Sequence, residues 1–213
     1  MAESASSPRG LFVITADQVD SRDSDDLVAE TLDALARGHT LPLPAERTVG
    51  DELQLLTASA TEAFSIILDL TRSGRWSVGC GVGGVRTPLP ASIREASGPA
   101  FIAARDAVDR AKKAPTRFAL SHERAKHLTA DAEALIDLLL ALRSRRTDEG
   151  WQVHDLLETG RTQAEAATAL GISPQAVSDR ARTADLRIEA AARDPLVRLL
   201  DGLASVEPTP EGD

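Results

Sequence analysis

The sequence predicts an α+β domain followed by an all-α domain. Up to Leu120, short apolar runs rich in β-branched residues alternate with stretches whose apolar residues recur at helical spacing. Beyond Leu120 only helical patterns continue, so we expect domains at 9–122 and 123–203, with the boundary in 121–128. The 213 residues suit one or two domains, and an apolar fraction of 42% is enough for a core.

The first domain is predicted to follow the order β-α-β-β-α-β-α-β, with helices packed on a mixed or antiparallel sheet. It opens with the buried strand "GLFVITAD" (10–17) and an amphipathic helix that has Ser24 as its N-cap. The stretch "RTVGDELQLLTA" indicates strand, tight turn and strand, with the turn at Gly50 and Asp51. Residues 1–8 and 204–213 are small, polar or Pro-rich, and we expect both ends to be disordered.

The rest of this domain comprises two more helices and two more strands. The helix "SATEAFSIILDLTRSG" precedes the strand "RWSVGCGVGGV", and "SGPAFIAARDAVDRAKK" precedes the short strand "TRFAL". Glycines at 79, 81, 83 and 84 are unusual inside a strand, so we expect another element to pack closely there or the strand to bend. Cys80 is the only cysteine, which excludes an internal disulfide, and we expect it to be a small core residue.

The second domain contains a pattern of two short helices joined by a tight turn, "TQAEAATALGISPQAVSDRARTADLRI" (162–188). Thr162 and Glu165 fit a capping box, Gly171 permits the turn, and Ser173 with Pro174 begins the second helix. That helix is predicted to bury one face made of Val177, Ala181, Ala184 and Ile188. The pattern resembles the helix-turn-helix of bacterial transcription regulators, in particular sigma-factor-like modules. A helical hairpin used for protein contact is the alternative.

If the module binds double-stranded DNA, the helix from Pro174 lies in the major groove. We expect Gln175 to read adenine and Arg182 to read guanine, with Asp179 on the same face. The flanking and phosphate-contacting positions are Ser178, Thr183, Arg161, Thr162, Ser173 and Arg180. Before the module stands a basic cluster, which either adds phosphate contacts or is a solvated helix end: Arg143, Arg145 and Arg146.

The net charge of −9 argues against binding nucleic acid through bulk charge, although it does not exclude a local basic face. We therefore expect modest DNA affinity per subunit and a homodimer that gains useful affinity from two modules. No run of 18 apolar residues and no signal-like apolar segment is present, so we expect no membrane insertion and a cytoplasmic location.

Three acidic residues of the first domain are candidate metal ligands. Asp17 ends the first strand, and Asp51 and Glu52 follow Gly50 in the hairpin. If those strands are neighbours in the sheet, carboxylates from separate segments converge. Such an oxygen-rich site suits Mg²⁺ held together with phosphate oxygens. A solvated turn at Asp51 and Glu52 is the alternative interpretation.

Four ordered motifs resemble the SatD family of bacterial proteins. They are "DQVDSR" (17–22), "GDELQ" (50–54), "GCGVG" (79–83) and "GPAFIAAR" (98–105), and the resemblance covers about residues 10–185. The chain departs from the family pattern at Ala16, Leu53 and Ser97, where glycine, phenylalanine and aspartate are usual.

The first-strand aspartate and the "GDE" hairpin also resemble the ferredoxin-like core of class III nucleotidyl cyclases and GGDEF proteins. The resemblance implies that Asp17 and Asp51 hold the metal, while Glu52 assists or faces a neighbour. We also expect a nucleotide site at Arg105, Ser21 and Arg22. Arg105 matches the cyclase arginine, but Phe101 stands where those enzymes have asparagine.

We therefore expect a DNA-binding transcriptional regulator whose degenerate cyclase-like domain binds a nucleotide or metal, or mediates dimerisation. Phe101 disfavours the first alternative, an active Mg²⁺- or Mn²⁺-dependent nucleotide cyclase or nucleotidyltransferase with a helical appendage. The second alternative is a helical adaptor that binds protein alone, and the helix-turn-helix pattern disfavours it.

Overall fold

A computed structural model describes residues 10–21 and 25–206. Within them, strands β1 (Leu11–Gln18), β2 (Glu46–Arg47), β3 (Glu52–Thr57), β4 (Trp76–Gly83) and β5 (Phe118–His122) alternate with helices α1 (Val28–Gly38), α2 (Ala60–Thr71) and α3 (Pro99–Ala111). A short 3-10 helix (Ile93–Glu95) precedes α3. Helices α4 (Lys126–Arg143), α5 (Asp148–Glu158), α6 (Gln163–Leu170), α7 (Pro174–Thr183) and α8 (Leu186–Ala204) follow. The predicted α+β class and element order are confirmed.

Several expectations about chain ends and caps fall outside the described residues. They concern residues 1–8, the cap at Ser24 and residues 207–213 of the predicted tail. The tail was expected to start at 204, but Ala204 is still the last residue of α8.

The five strands form one mixed sheet in the order β2-β3-β1-β4-β5. Strand β1 pairs antiparallel with β3 and β4, and β5 joins the sheet parallel to β4. Because successive side chains alternate between the two faces, Phe12, Ile14 and Ala16 point to one face, where they are fully buried. Val13, Thr15 and Asp17 point to the other.

Helix α3 lies directly on β4 at two glycines. A Cβ at Gly79 would stand 2.1 Å from the backbone nitrogen of Val108, and one at Gly81 would stand 2.2 Å from the carbonyl oxygen of Ala100. No side chain fits in that space, so the expected close packing of the glycine-rich strand is confirmed. Gly79 and Gly81 lie opposite Thr15 and Val13, so α3 covers the face of the sheet that carries Asp17.

Cys80 points to the opposite face and is fully buried. It is therefore a core residue, as expected, and burial raises the pKa of its thiol to about 12. Within the described residues, no helix is both long enough and apolar enough to cross a membrane.

The chain divides into two compact units. The first contains the residues up to Asp137 together with those from Leu196 onward, and the second is Leu138–Pro195. The division therefore falls inside α4, later than the boundary expected at 121–128. The second unit has its own core of Val153, Ala166, Ala167 and Val177.

Candidate functional site

Asp17 and Glu52 stand directly opposite each other on β1 and β3. The backbone carbonyl of Glu52 accepts from the N–H of Thr48, and its N–H donates to the carbonyl of Val49. Asp17 and Glu52 are therefore a non-hydrogen-bonded pair of the antiparallel ladder. Such a pair brings the two Cα atoms to about 4.5 Å, with both side chains on one face of the sheet. Two of the three predicted metal ligands therefore do converge.

Asp51 lies in the turn before β3, where its carbonyl oxygen accepts from the backbone N–H of Gln18 at 3.3 Å. The register thus brings Glu52, rather than Asp51, opposite Asp17. Sequence analysis assigned the main role to Asp51 because motif matching does not fix strand register.

Two cations neutralise the acidic pair, Arg105 on α3 and Lys112 directly after the last residue of α3. Lys112 Nζ lies 2.7 Å from Asp17 Oδ2, and Arg105 Nη1 lies 2.5 Å from Glu52 Oε2. Thr48 Oγ1 also donates to Glu52 Oε1 at 2.6 Å. The acids are the more enclosed partners, since their side chains are 21% and 10% exposed, against 38% for Lys112 and 62% for Arg105.

This four-residue charge cluster, Asp17, Glu52, Arg105 and Lys112, has a definite chemical capacity. Arg105 and Lys112 are seven residues apart, which is two helical turns, and so they project from the same flank of α3. A phosphate group can take up both cations, and a divalent cation can then take up the two carboxylates. A metal–nucleotide complex offers both groups at once.

The other residues of the predicted nucleotide site lie at different places. Ser21 is half-buried in the turn after β1, and Arg22 lies outside the described residues. Phe101 packs against an apolar cluster that includes Val13, Leu56 and Ile93. In the described part of the chain no group of three or more His, Cys, Asp or Glu side chains could hold a metal, so the metal site stays a prediction.

Sequence analysis missed Gln18, whose side chain connects the end of β1 to the residues just before α1. Its side-chain amide donates to the carbonyl of Asp25 at 2.7 Å, and its side-chain oxygen accepts from the N–H of Leu27 at 2.9 Å. Gln18 is only 3% exposed, and it thereby fixes the chain on both sides of Ser21.

In the second unit, the predicted short-helix pair corresponds to α6 and α7. Thr162 and Glu165 form the capping box, and Ser173 accepts from the N–H of Ala176 with Pro174 at the first helical turn. Gly171 adopts φ +64°, the left-handed conformation that the turn requires. Each of these local predictions is confirmed.

The outward side of α7 carries the predicted base-reading residues. Gln175, Arg182 and Thr183 are exposed, while Ser178, Asp179 and Arg180 are half-buried. The predicted phosphate contacts outside α7, at Arg161, Thr162 and Ser173, are exposed as well. Asp179 Oδ1 accepts from Arg182 at 2.8 Å and from Gln175 Nε2 at 3.3 Å, which links the three side chains.

The predicted buried face of this helix needs a correction at Ile188. Val177 and Ala184 are buried, but Ile188 is 56% exposed. Helix α7 ends at Thr183, and Asp185 has φ +54°, so α8 starts in a new direction. The helical spacing therefore does not continue to Ile188.

The basic cluster before the module also needs a correction. Arg143 and Arg146 are 4% and 8% exposed, and both pair with Glu189, with 2.6 Å between Arg146 Nη2 and Glu189 Oε2. Their guanidinium groups also stack on the Trp151 ring, at 4.8 and 4.4 Å from its centre. Neither can contact a phosphate, and Arg145 is the exposed member.

Glu189 is the counter-ion of this buried network. Burial alone would disfavour its charged form, but His154, whose Nε2 lies 3.7 Å from Glu189 Oε1, and the charges of Arg143 and Arg146 outweigh it. The pKa of Glu189 therefore lies well below its usual range. The network is a structural feature of the second unit.

Leu138–Pro195 contains eight arginines, no lysine and nine acidic residues, a net charge of −1. The excess negative charge of the chain, −9 in all, lies almost entirely in the first unit. Because Arg143, Arg146 and Glu189 are buried, the six arginines and eight acidic residues that remain in this unit carry a net charge of −2.

Fold and sites together define an α+β protein with a five-stranded mixed sheet, a charge cluster on one face of it, and a helical second unit. Comparisons of the chain with models of protein families, with curated proteins and with solved structures found no match.

Proposed function

We propose that this protein is a cytoplasmic bacterial transcription regulator that reads double-stranded DNA with α7. The observation that carries the proposal is the arrangement of α6 and α7. The capped helix α6 is followed by a left-handed glycine and by the capped helix α7. Helix α7 exposes Gln175 and Arg182 to solvent, and its Val177 packs in the core of the unit. This arrangement supports the proposal of a helix-turn-helix.

Side-chain chemistry on α7 supports base reading. Arg182 is 76% exposed and shares one of its guanidinium nitrogens with Asp179, which leaves other donors for the O6 and N7 of guanine. Gln175 lies two turns earlier at the start of the same helix.

The first unit is proposed to be a nucleotide-binding unit of the SatD type. The strand order β2-β3-β1-β4 with antiparallel neighbours supports the proposal of a ferredoxin-like sheet, next to which β5 lies as a parallel strand. The charge cluster offers two cations to phosphate groups and two carboxylates to Mg²⁺. Phe101 turns to the apolar core, so the proposed role is binding rather than turnover.

The direct test is selection of DNA fragments from a random pool by the full-length protein, followed by sequencing. We expect the wild-type protein to enrich one sequence motif over the random pool. The enrichment of that motif should be weaker with Arg182→Ala and with Gln175→Ala. Arg187→Ala is the matched control, because it removes the same charge from an exposed position on α8. The proposal would be contradicted if the wild-type protein enriched no motif, or if all variants enriched the motif equally.

Metal-dependent nucleotidyl chemistry is the second candidate, because Asp17 and Glu52 stand opposite each other. Incubation with ATP or GTP and Mg²⁺ or Mn²⁺, followed by chromatography, distinguishes an enzyme from a binding unit. If product forms with the wild-type protein but not with Asp17→Ala or Glu52→Ala, the first unit is an enzyme rather than a nucleotide-binding unit. Nucleotide binding without product supports the regulator.

A further inference from the structure

A cavity of about 470 Å³ lies between α1, the end of α2 and the start of β4, entirely within the first unit. Its volume falls in the range of about 300–1,000 Å³ that is usual for small-molecule sites. Most of its wall is apolar, and the apolar side chains that line it are Leu27, Ala34, Leu35, Leu70 and Trp76. A mainly apolar wall with a few polar groups is typical of a ligand-binding cavity.

Trp76 shows on which face of the sheet the cavity lies. In the register of β1 and β4, Trp76 stands opposite Gln18, and Gly79 stands opposite Thr15. Because side chains alternate along a strand, Trp76 points away from the face that α3 covers. That covered face also carries Asp17 and the charge cluster. A ligand in the cavity is therefore separate from the nucleotide proposed for the charge cluster.

His39 closes one end of the cavity. It directly follows α1, and its ring contacts Asp69 Oδ2 at 3.0 Å and Glu62 Oε1 at 2.6 Å, both on α2. The side chain of His39 is only 7% exposed, so this contact joins the end of α1 to α2. The charged groups at this end of the cavity are therefore already paired with each other.

Two other charged residues line the cavity at the opposite end. Glu30 is in the first turn of α1, and Arg75 directly precedes β4. The carbonyl of Arg75 accepts from the N–H of Val19 at 2.8 Å, and the side chain of the neighbouring Gln18 accepts from the N–H of Leu27 at 2.9 Å. Leu27 directly precedes α1, so Arg75 and Glu30 both lie at the start of that helix.

The side chains of Glu30 and Arg75 are available to a ligand. Both residues are exposed, and neither has an ionic partner in the part of the chain that the structure describes. A carboxylate and a guanidinium thus stand at one end of a cavity whose wall is otherwise mainly apolar. A complementary ligand carries an ammonium group and a carboxylate close together at one end and an apolar group at the other.

We propose that this cavity binds an α-amino acid with a large apolar side chain. Arg75 pairs with the carboxylate, since a guanidinium can bond to both carboxylate oxygens, and Glu30 pairs with the ammonium group. The apolar side chain extends along α1 towards Leu35 and Leu70. From Glu30 to Gly38 the helix rises about 12 Å, which leaves room for a side chain of the size of leucine, methionine or phenylalanine.

Charge distinguishes an amino acid from simpler apolar ligands. A carboxylic acid without an amine would pair with Arg75 but would bring its negative charge close to Glu30. An amine without a carboxylate would pair with Glu30 but would bring its positive charge close to Arg75. Only a ligand with both charges satisfies both residues. The inference goes beyond the proposed function, since it depends neither on DNA reading nor on nucleotide binding.

Isothermal titration of the full-length protein tests the ligand class. We expect at least one of L-leucine, L-methionine and L-phenylalanine to bind with a dissociation constant below about 1 mM. Phenethylamine, 3-phenylpropionate and glycine lack the carboxylate, the ammonium group and the apolar side chain, respectively, and each should bind at least about tenfold more weakly. The proposal would be overturned if none of the three amino acids bound, or if phenethylamine or 3-phenylpropionate bound as tightly.

Substitutions in the cavity test the site, with the tightest of the three amino acids as the probe. Arg75→Gln and Glu30→Gln should each raise its dissociation constant at least about tenfold. Arg37→Gln and Asp33→Asn are the matched controls, because they remove the same charges from exposed positions of α1 outside the cavity. Ala34→Phe should abolish binding by filling the apolar part.

Circular dichroism and thermal unfolding check that these variants are folded. The substituted residues Glu30, Ala34 and Arg75 are exposed, so each variant should unfold within a few degrees of the wild-type protein. Wild-type affinity in any of these three cavity variants would overturn the proposal, as would an equal loss of affinity in the two controls.

Discussion

Asp179 and Arg182 lie one turn apart on α7, and the carboxylate accepts a hydrogen bond from the guanidinium at 2.8 Å. The same Oδ1 atom also accepts from Gln175, at 3.3 Å. The acidic residue therefore orients both proposed base-reading side chains. At the same time, its negative charge opposes the approach of phosphates.

These two roles of Asp179 predict opposite effects in Asp179→Ala. Affinity for unrelated DNA should rise, because one repulsive charge is lost. The ratio of specific to unrelated binding should fall about threefold, because Arg182 and Gln175 lose their common acceptor. Fluorescence anisotropy with the selected motif and with a scrambled duplex measures both. Asp194→Ala, which removes an exposed charge from α8, should leave the ratio unchanged.

Lys112 predicts how the charge cluster responds to divalent cations. In Lys112→Ala, Asp17 loses the ammonium group that lies 2.7 Å away, so the carboxylate pair should bind Mn²⁺ at least about fivefold more tightly. Isothermal titration without nucleotide measures this change. Lys113→Ala is the matched control, because it removes an exposed lysine from the next position. Equal Mn²⁺ affinity in both variants would contradict a metal-binding capacity of Asp17 and Glu52.

His39 predicts a pH dependence of stability in the first unit. It follows α1, and its ring nitrogens contact Asp69 Oδ2 at 3.0 Å and Glu62 Oε1 at 2.6 Å. The hydrogen bond to Asp69 and that to Glu62 outweigh the effect of burial and raise the pKa of His39 above its usual value of 6.5.

Because this pKa is raised on folding, the stabilisation by His39 is complete below about pH 6.5 and is lost as the pH rises through the folded value. Urea unfolding of wild type and His39→Gln should differ by about 1 kcal/mol at pH 5.5, with a smaller difference at pH 8.5. A difference that grows with pH would contradict the assignment.

Glu189 predicts the largest loss of stability in the second unit. In Glu189→Gln, the buried Arg143 and Arg146 lose their counter-charge, so the free energy of unfolding should fall by about 3 kcal/mol or more. Glu158→Gln is the control, because its partner Arg193 is at 3.2 Å in an exposed pair, and it should cost less than about 0.5 kcal/mol.

The depressed pKa of Glu189 also fixes the sign of a pH effect. Its stabilisation is present above the ordinary glutamate pKa of 4.5 and is lost as the pH falls through the folded value. Acid unfolding of the wild type should therefore include a contribution that Glu189→Gln lacks. Identical loss of stability on acidification in both proteins would contradict it.

Features that depend on neighbours in sequence could be predicted from the sequence. The capping box at Thr162, the glycine turn at Gly171 and the cap at Ser173 each follow from local backbone chemistry. The order of strands and helices likewise followed from hydrophobic periodicity. The glycines of β4 indicated that another element packs closely against this strand, although the sequence did not show that this element is α3.

Features that depend on distant partners could not be predicted. Arg143 and Arg146 have the sequence pattern of a solvent-exposed basic cluster, and only Glu189, more than 40 residues later, makes their burial tolerable. Sequence analysis expected Asp51 beside Asp17, whereas the structure places Glu52 there. This one-residue difference depends on the strand register. The break at Asp185 requires a positive φ that a helical periodicity does not reveal.

The contact between Gly81 and the backbone of α3 limits how the first unit could respond if it bound a ligand. Because main chain touches main chain there, α3 cannot slide along β4 without a steric clash. The ends of Arg105 and Lys112, in contrast, are partly exposed and would change rotamer if a ligand replaced their carboxylate partners. Ligand binding would therefore change the picosecond-to-nanosecond motion of these side chains and leave the backbone of α3 in place. Side-chain relaxation measurements would detect such a change, whereas a comparison of backbone positions would not.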